Sequence, residues 1–564
     1  MSSTILRLVN SDPVREPPDA RLIDTYGAQR ALRDRVLPWR RVGCATVIVV
    51  ASAASYYRNR QQLETLFGQT QMALAPEKAL LAALLQQRRG TLAKLAETRV
   101  APHESCRTFW STRRAILGLA CMVAIVAVII WQPIWAMAIA SGWAIFSLVL
   151  TTALRIAASM AQGLSRIRKA DPVPETTGAV PMLVRLPKVS LLVPLFRERE
   201  IADHLITRLE RLDYPRKLLD ICLIAEQNDT ITQATLTQAG IPSWMRVVVV
   251  PPGKLQTKPR AMNYALDFAR GSIIGVYDAE DEPEPDQINA IVARFQRAPA
   301  DVACLQGVLD FYNARQNWLS RCFSIDYATW FRLILPGLAQ LGLVVPLGGT
   351  TVFFRRAALE ALGGWDAHNV TEDADLGVRL ARRGFRTELI PTVTREEANC
   401  HVWPWVKQRS RWLKGYAITY AVHMRAPLHL LSDLGMWRFF GFQILLLGTL
   451  SQFILAPVLW SFWMVALGLH HPLEALVSAD MLLGVAGLFL VAEFTNIVLG
   501  SVAVSGSRHR WLIPWVPTLH FYWPLGAIAS YKALWEVVTR PFFWDKTAHG
   551  LSDPVSSSGS TGSG

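Results

Sequence analysis

Charge is scarce in this chain. Asp, Glu, Lys and Arg make up 18% of its 564 residues, where a soluble protein carries about a quarter. The shortfall sits in a few apolar blocks, which excludes a wholly soluble protein and points to membrane spans between polar domains. Acidic residues are outnumbered by basic ones, 44 to 58, leaving a net charge of +14. No recognisable nucleic-acid motif accompanies that excess, so nucleic acid is set aside as a partner. The cytoplasmic face of a membrane and anionic nucleotide substrates remain. CxxC and other metal-binding spacings are missing: Cys44, Cys106, Cys121, Cys222, Cys304, Cys322 and Cys400 are dispersed. An odd, scattered set argues for reduced thiols packed in a cytosolic domain. There is no apolar run before about residue 43, hence no expected signal peptide. There is no internal repeat either.

What is present divides the chain. Residues 1–20 are polar, with three prolines, and read as a flexible arm. Residues 21–105 read as a small α/β domain, with a buried strand at Ala45–Ala51, a shorter one at Gln71–Ala75 and a helix across Pro76–Arg89. The Ala45 run is far too short to span a membrane, which takes roughly 20 apolar residues. A transmembrane hairpin is expected at 114–158, turning at Gln132-Pro133, with Arg107, Arg113 and Arg114 before it and Arg166, Arg168 and Lys169 after it. Both basic flanks ask to be cytoplasmic. A linker rich in Pro, Gly and Thr follows at 171–186.

Residues 187–425 alternate strands and helices. Strands are expected at Val189–Pro194, Ile221–Ala225, Val247–Val250 and Ile273–Tyr277, with helices such as Ile201–Leu212 and Lys258–Arg270 between them. That order argues a mostly parallel, Rossmann-like α/β sheet covered on both faces, with ligands beyond the carboxyl ends of its strands. Apolar stretches at about 438–471, 481–504 and 511–537 then give interfacial helices and spans over 426–537, about six spans in all. A C-terminal loop at 538–553 and a Ser/Gly-rich linker or tag at 554–564 close the chain.

Three motifs carry chemistry. The fourth strand ends in Tyr277-Asp278-Ala279-Glu280-Asp281. Carboxylates clustered at a strand end hold Mg²⁺ or Mn²⁺ through oxygen while a diphosphate fills other positions, although a solvated acidic turn has the same pattern. Thr371-Glu372-Asp373 follows Gly363-Gly364-Trp365-Asp366. An isolated carboxylate there can act as a general base; alone, Asp373 also reads as a helix N-cap, with Thr371 as competitor. Gln408-Arg409-Ser410-Arg411-Trp412 places Gln408 and Arg411 or Trp412 on one helix face. Arginine can grip diphosphate oxygens and the indole is a platform for a sugar, while an interfacial helix would show the same residues.

In this order, between two membrane blocks, the motifs resemble those of the processive family 2 glycosyltransferases, the cellulose, curdlan, chitin and hyaluronan synthases. The resemblance implies a GT-A fold, a UDP-sugar donor and a divalent cation, Mg²⁺ or Mn²⁺. It implies that Pro194 and Glu198 line the nucleotide site and that Glu226, Asn228 and Asp229 stand where the family has an acidic pair. Lys258 matches the basic contact to the nucleotide. Asp278 with Glu280 matches DxD, with Asp281 as substitute. Gly348-Gly349-Thr350 falls at the acceptor loop, Asp373 beside Glu372 at the catalytic base, and Gln408, Arg411 and Trp412 at the acceptor and diphosphate contacts. The gating FxVTxK of cellulose synthases is missing. Phe543, Trp544, Lys546 and Thr547 are the analogous gate candidate, with a juxtamembrane aromatic anchor as the alternative. The N-terminal domain resembles that of type II secretion ATPases on Val36–Arg41, the Ala45 strand and Ala75–Lys78, which implies docking or regulation.

The resulting expectation is a bacterial inner-membrane, multi-pass enzyme with a cytoplasmic catalytic domain. It would polymerise a UDP-sugar, UDP-glucose by preference, into a β-glucan exopolysaccharide, with membrane lipids and periplasmic export proteins as partners. The alternatives are a single-step transferase acting on a lipid and a non-catalytic signalling or assembly protein.

Overall fold

A computed structural model describes residues 12–108, 112–170, 185–198 and 201–543. Trp544, Lys546 and Thr547 of the gate candidate, nearly all of the 171–186 linker and the 554–564 tail lie outside the described residues.

Among the described residues the N-terminal module holds three strands. β1 (Val36–Val42) runs antiparallel to β2 (Ala45–Val50), and β2 parallel to β3 (Thr70–Leu74). Its last helix runs over Glu77–Thr98, passing a kink at Arg88 that the expected end at Arg89 anticipates only in part. The module does not stand apart. Leu22, Trp39, Leu84, Leu92 and Ala96 share one hydrophobic core with Leu192, Cys222, Leu266, Phe354 and Trp365 of the large domain.

That large domain is built on an eight-stranded mixed sheet. Its strands are β4 (Val189–Leu195), β5 (Leu219–Glu226), β6 (Met245–Val250), β7 (Ile273–Val276), β8 (Glu282–Pro283), β9 (Val302–Phe311), β10 (Val352–Arg355) and β11 (Arg386–Glu396). They lie in the order β6-β5-β4-β7-β10-β9-β11-β8. The β4 to β7 half is parallel, as apolar runs joined by helices require. β10 enters antiparallel between β7 and β9, and β11 pairs with β9 in parallel. The parallel strands end on one edge, and β10 begins there, so the acidic strand end and the Gly348–Thr350 loop meet.

Among the described residues, three helices are long and apolar enough to cross a membrane: Pro133–Ile167, Pro427–Ile454 and Ala479–Ala503; Ile116–Trp131 and Ala456–Ala466 are shorter. Where about six spans are expected, the 438–471 stretch divides into several pieces, and the second expected span belongs to a helix reaching Ala170. Gly337 lets that helix approach closely, since a Cβ there would lie 2.0 Å from the Ala158 carbonyl. Residues Arg510–Thr518 form a proline-containing 3₁₀ helix. It lies against helix Trp318–Thr329 of the large domain: Trp318 Nε1 donates to Thr518 at 2.9 Å, and Arg315 and Arg321 sit over Trp511 and Trp515.

Candidate active site

A cavity of about 430 Å³ opens at the carboxyl edge of the sheet. Pro194, Glu198, Glu226, Lys258, Asp278, Glu280, Gly348, Gly349, Thr350, Glu372, Asp373, Gln408, Arg411 and Trp412 all line it. Asn228, Asp229 and Asp281 are not among its lining residues. Asn228 is exposed in the turn after β5. Asp229 caps helix Thr230–Gln238 and accepts from Arg197 N at 2.6 Å, so it fixes the loop that carries Glu198.

The acidic turn after β7 splits into two roles. Asp278 and Glu280 face the cavity. Asp281 points into the protein and is 1% exposed. One of its oxygens accepts from Asp278 N at 2.8 Å and from the Thr350 hydroxyl. Burial, then the charges of Asp278 and Glu280, raise its pKa well above the carboxylate range. It behaves as a buried acid that ties the turn to the Gly348–Thr350 loop. Lys258, the first residue of helix Lys258–Leu266, bonds Asp278 Oδ1 and donates to the Gly349 carbonyl at 2.8 Å. Burial works against its charge, but Asp278 and Glu372 outweigh it and keep it protonated.

Glu372 and Asp373 begin helix Glu372–Arg382, with Thr371 at the N-cap position. Asp373 is therefore not the cap; it lies one residue inside the first turn, and its Oδ1 accepts from Ala374 N at 2.8 Å. Burial raises the pKa of both carboxyls, Asp373 adds its charge against Glu372, and Lys258 opposes both shifts. Asp373 Oδ2 would lie 3.1 Å from a Cβ on Gly349, so a bare glycine leaves room beside the carboxylate. The helix is fixed from behind: Arg379 pairs with Asp375 at 2.7 Å and reaches the Leu362 and Gly364 carbonyls, and His423 bonds Asp375 at 3.0 Å.

Helix Val402–His423 carries the third motif and crosses the second at Gly415, where a Cβ would fall 2.0 Å from Thr371 Oγ1. Arg411 faces the three carboxylates Glu372, Asp373 and Asp278, which support its charge, while burial lowers its pKa. Gln408 accepts from Asn399 at 2.9 Å. The Trp412 ring lies 6.0 Å from that of Tyr327. Phe543, the described member of the gate candidate, offers its carbonyl to Lys414 at 2.7 Å and is not among the cavity-lining residues.

Two lining residues, Glu396 and Arg155, and a buried residue behind the wall, Gln306, escape the sequence reasoning. Glu396 ends β11 beside the acidic turn; burial, then Asp281, Glu280 and Asp278, push its pKa well up, and its Oε1 has no partner. A Glu-Glu pair closing a strand before the QxxRW helix was the available signal. Gln306, buried on β9, accepts from Gly348 N at 2.9 Å and holds the Thr350 carbonyl at 3.0 Å. Arg155 lines the cavity from within an apolar helix and donates to Asn496 at 2.7 Å. An arginine inside a helix long and apolar enough to cross a membrane is itself a functional signal.

The cavity thus joins acidic oxygen donors, cations that include Lys258 and Arg411, and a helix-borne carboxylate, an arrangement able to hold a nucleoside diphosphate and to deprotonate an acceptor. Residues 187–415 match the family described as "Glycosyltransferase like family 2". The match takes in β4 to β11 and all three motifs, so this region is similar to a family 2 glycosyltransferase domain. Among individual proteins, the chain is 26% identical over 233 residues to the probable glycosyltransferase YdaM of Bacillus subtilis, covering 41% of this chain and 55% of the relative. It is 28% identical over 298 residues to the beta-monoglucosyldiacylglycerol synthase of Trichormus variabilis, covering 52% and 60%. The chain therefore spans under two thirds of the length of these relatives. Among solved structures, the mannosyltransferase PcManGT from Pyrobaculum calidifontis, in complex with GDP-Man and Mn²⁺, aligns at a TM-score of 0.43 and 18% identity over 69% of this chain and 99% of that one.

Proposed function

We propose that this protein is an inverting transferase that moves a hexose from a UDP-sugar to an acceptor reaching the site from a membrane. The observation that carries this reading is the cavity itself. It is lined both by Asp278, Lys258, Asp373 and Arg411 and by Arg155, Thr449, Phe453 and Trp523 of the apolar helices and their neighbours. In the reaction, Asp373 accepts the proton of the acceptor hydroxyl as its oxygen forms a bond to C1 of the sugar. The bond from C1 to the diphosphate breaks on the opposite face, the electron pair leaves with UDP, and an α-linked donor gives a β-linked product. Arg411 and Lys258 offset the charge left on the diphosphate.

The residues fit a divalent cation. Asp278 and Glu280 would hold it, with Glu396 beside them. The mutual charge that raises Asp281 and Glu396, and the unpartnered Glu396 Oε1, mark a place short of positive charge. Among the described residues no three His, Cys, Asp or Glu side chains are grouped as a metal site; Mg²⁺ sites completed by substrate phosphates use one or two carboxylates. When bound, the cation supplies charge compensation to the departing diphosphate.

For the acceptor, the similarity to beta-monoglucosyldiacylglycerol synthases favours a lipid hydroxyl, with glucose as the first sugar to try. A processive β-glucan synthase is the second reading; Tyr327, Trp330, Trp412 and Trp523 along the cavity wall favour it, as stacking surfaces for a chain. The N-terminal module is an integral support of the domain in either case. The test is a donor screen on membrane-inserted protein with Mg²⁺ or Mn²⁺, reading nucleotide release and product size. A one-sugar glycolipid supports the lipid reading and a long, glycosidase-sensitive polymer the second. No turnover with any UDP-sugar and any of these acceptors would overturn both.

A further inference from the structure

We propose that Glu97 of the N-terminal module is a positioning residue for the donor pocket, acting through Arg260 on Glu226 and on the loop that leads to Lys258. The inference rests on reading that part of the cavity as the nucleotide site. The Arg260 side chain is fully buried, and its three nitrogens are divided among three partners. Nη1 meets the two Glu226 oxygens at 3.2 and 3.3 Å, Nη2 donates to the Pro251 carbonyl at 2.5 Å, and Nε donates to Glu97 Oε1 at 3.1 Å. The same Glu97 oxygen accepts from Lys254 N at 3.0 Å.

Pro251 and Lys254 lie in the loop between β6 and the helix that begins at Lys258. One carboxylate from the module therefore fixes the loop backbone and the guanidinium together. Gly253 makes the closure possible, since a Cβ there would fall 2.2 Å from Glu97 Oε1 and 2.3 Å from Arg260 Nη2. Glu226 and Lys258 line the cavity; Arg260 and Glu97 are not among its lining residues. Glu97 thus acts on the donor only through its neighbours.

Packing alone does not call for a carboxylate here. Leu92, Ala93 and Ala96 already bury the apolar face of helix Glu77–Thr98. A buried guanidinium that loses one of its anionic partners repels cations nearby and relaxes its remaining bonds. Removing the charge of Glu97 would loosen the loop and shift Glu226, at the donor pocket only. Burial, against the pull of Arg260, lifts the Glu226 pKa to about 7, with Asp229 and Glu97 adding to the rise. The module therefore also contributes to the electrostatics of a cavity-lining acid.

The test uses the full chain, UDP with Mn²⁺ as the probe, calorimetric binding, and separate KM and kcat values for the donor. Three variants are compared: Glu97→Gln, Glu226→Gln, and Arg33→Ala, which cuts the contact to Glu360 elsewhere on the same interface. Glu97→Gln should weaken UDP binding about tenfold, the scale of a charge-assisted hydrogen bond, and raise KM with kcat held within about twofold; Arg33→Ala should do neither. Equal losses in Glu97→Gln and Arg33→Ala would overturn the assignment, because general anchoring would then explain both. An unchanged Glu97→Gln beside a weakened Glu226→Gln would overturn it while leaving the donor pocket standing. An unchanged Glu226→Gln would remove the donor-pocket reading and the inference with it. If Glu97→Gln lowers the melting temperature, Glu97→Asp decides: recovered UDP binding supports the charge role, and an equal loss overturns it.

Discussion

Asp373 lies in the first turn of a helix, where the peptide dipoles favour a negative charge. Its pKa is nonetheless raised because burial works against ionisation, and the adjacent Glu372 lowers the chance that both are charged. A base must be unprotonated to act. The rate should therefore rise with pH through the apparent pKa of the pair, which lies above the usual carboxylate value of about 4. Glu372→Gln removes a like charge and should move that rising limb to lower pH; a limb that stays in place would show that the two do not interact. Asp373→Asn should cut kcat by about 10²–10⁴-fold and leave UDP binding intact, as read by calorimetry. Asp366 has the opposite sign. Hydrogen bonds from His368, Cys106 N and Ser105 outweigh its burial and hold it at about 2. Its contribution to stability is complete above the unfolded carboxylate pKa and fades as pH falls through the folded one. The link between Ser105–Cys106 and the catalytic domain should loosen only in strong acid.

The second and third motifs meet where two helices cross, and Gly415 sets how closely. Gly415→Ala places a methyl carbon against Thr371. It should force the start of helix Glu372–Arg382 away, cost about 1–3 kcal/mol and lower kcat more than donor affinity; thermal unfolding with steady-state kinetics checks both. Gln306→Leu should act on the other side of the cavity by freeing the Gly348–Thr350 loop. Much of this architecture is legible in the sequence, and the reason is local. β4 to β7 are apolar runs paired in parallel and joined by helices, so each announces itself. The later strands do not. β10 has four residues, β8 two, β9 carries Gln306, Gly307 and Asp310 internally, and β11 holds charged residues and Pro391. Their strand character comes from partners far along the chain. Among site residues, those in strand-end or helix motifs can be read directly. Gln306, Glu396, Arg155 and Glu97 acquire their positions only through tertiary packing, and Asp281 and Asp229 turn away from the cavity into bonds that spacing does not reveal.

At the scale of the whole molecule, the module and the catalytic domain share a core, and Arg99–Asp267, Glu77–Arg270 and Glu104–Arg383 pairs cross between them. A chain lacking residues 12–105 exposes that apolar face and should lose cooperative unfolding or aggregate. The same anchoring logic applies to the C-terminal half. Arg508 and Arg510 on one side of the 511–531 stretch and Lys532 and Arg540 on the other all call for the cytoplasmic face, which a single crossing between them forbids. The structure keeps this stretch on the catalytic domain. His509 meets Asp310 at 2.9 Å, Thr518 meets Trp318, Trp405 donates to the Tyr522 hydroxyl at 2.7 Å, and Glu536 pairs with Lys414 at 2.9 Å. These ties run from one end of the segment to the other, and a membrane crossing would break several buried polar contacts at once. Single cysteines at 508 and 540, in a background where the exposed Cys44 and Cys121 are serine, should both react with an impermeant thiol reagent from the cytoplasmic side. His470→Cys, in the exposed connection between helices Ala456–Ala466 and Ala479–Ala503, should react from the opposite side. Labelling of 508 and 540 from opposite faces would mean that the 511–531 stretch crosses after all, and the carbonyl of Phe543 could not then sit against Lys414 beside the catalytic helix.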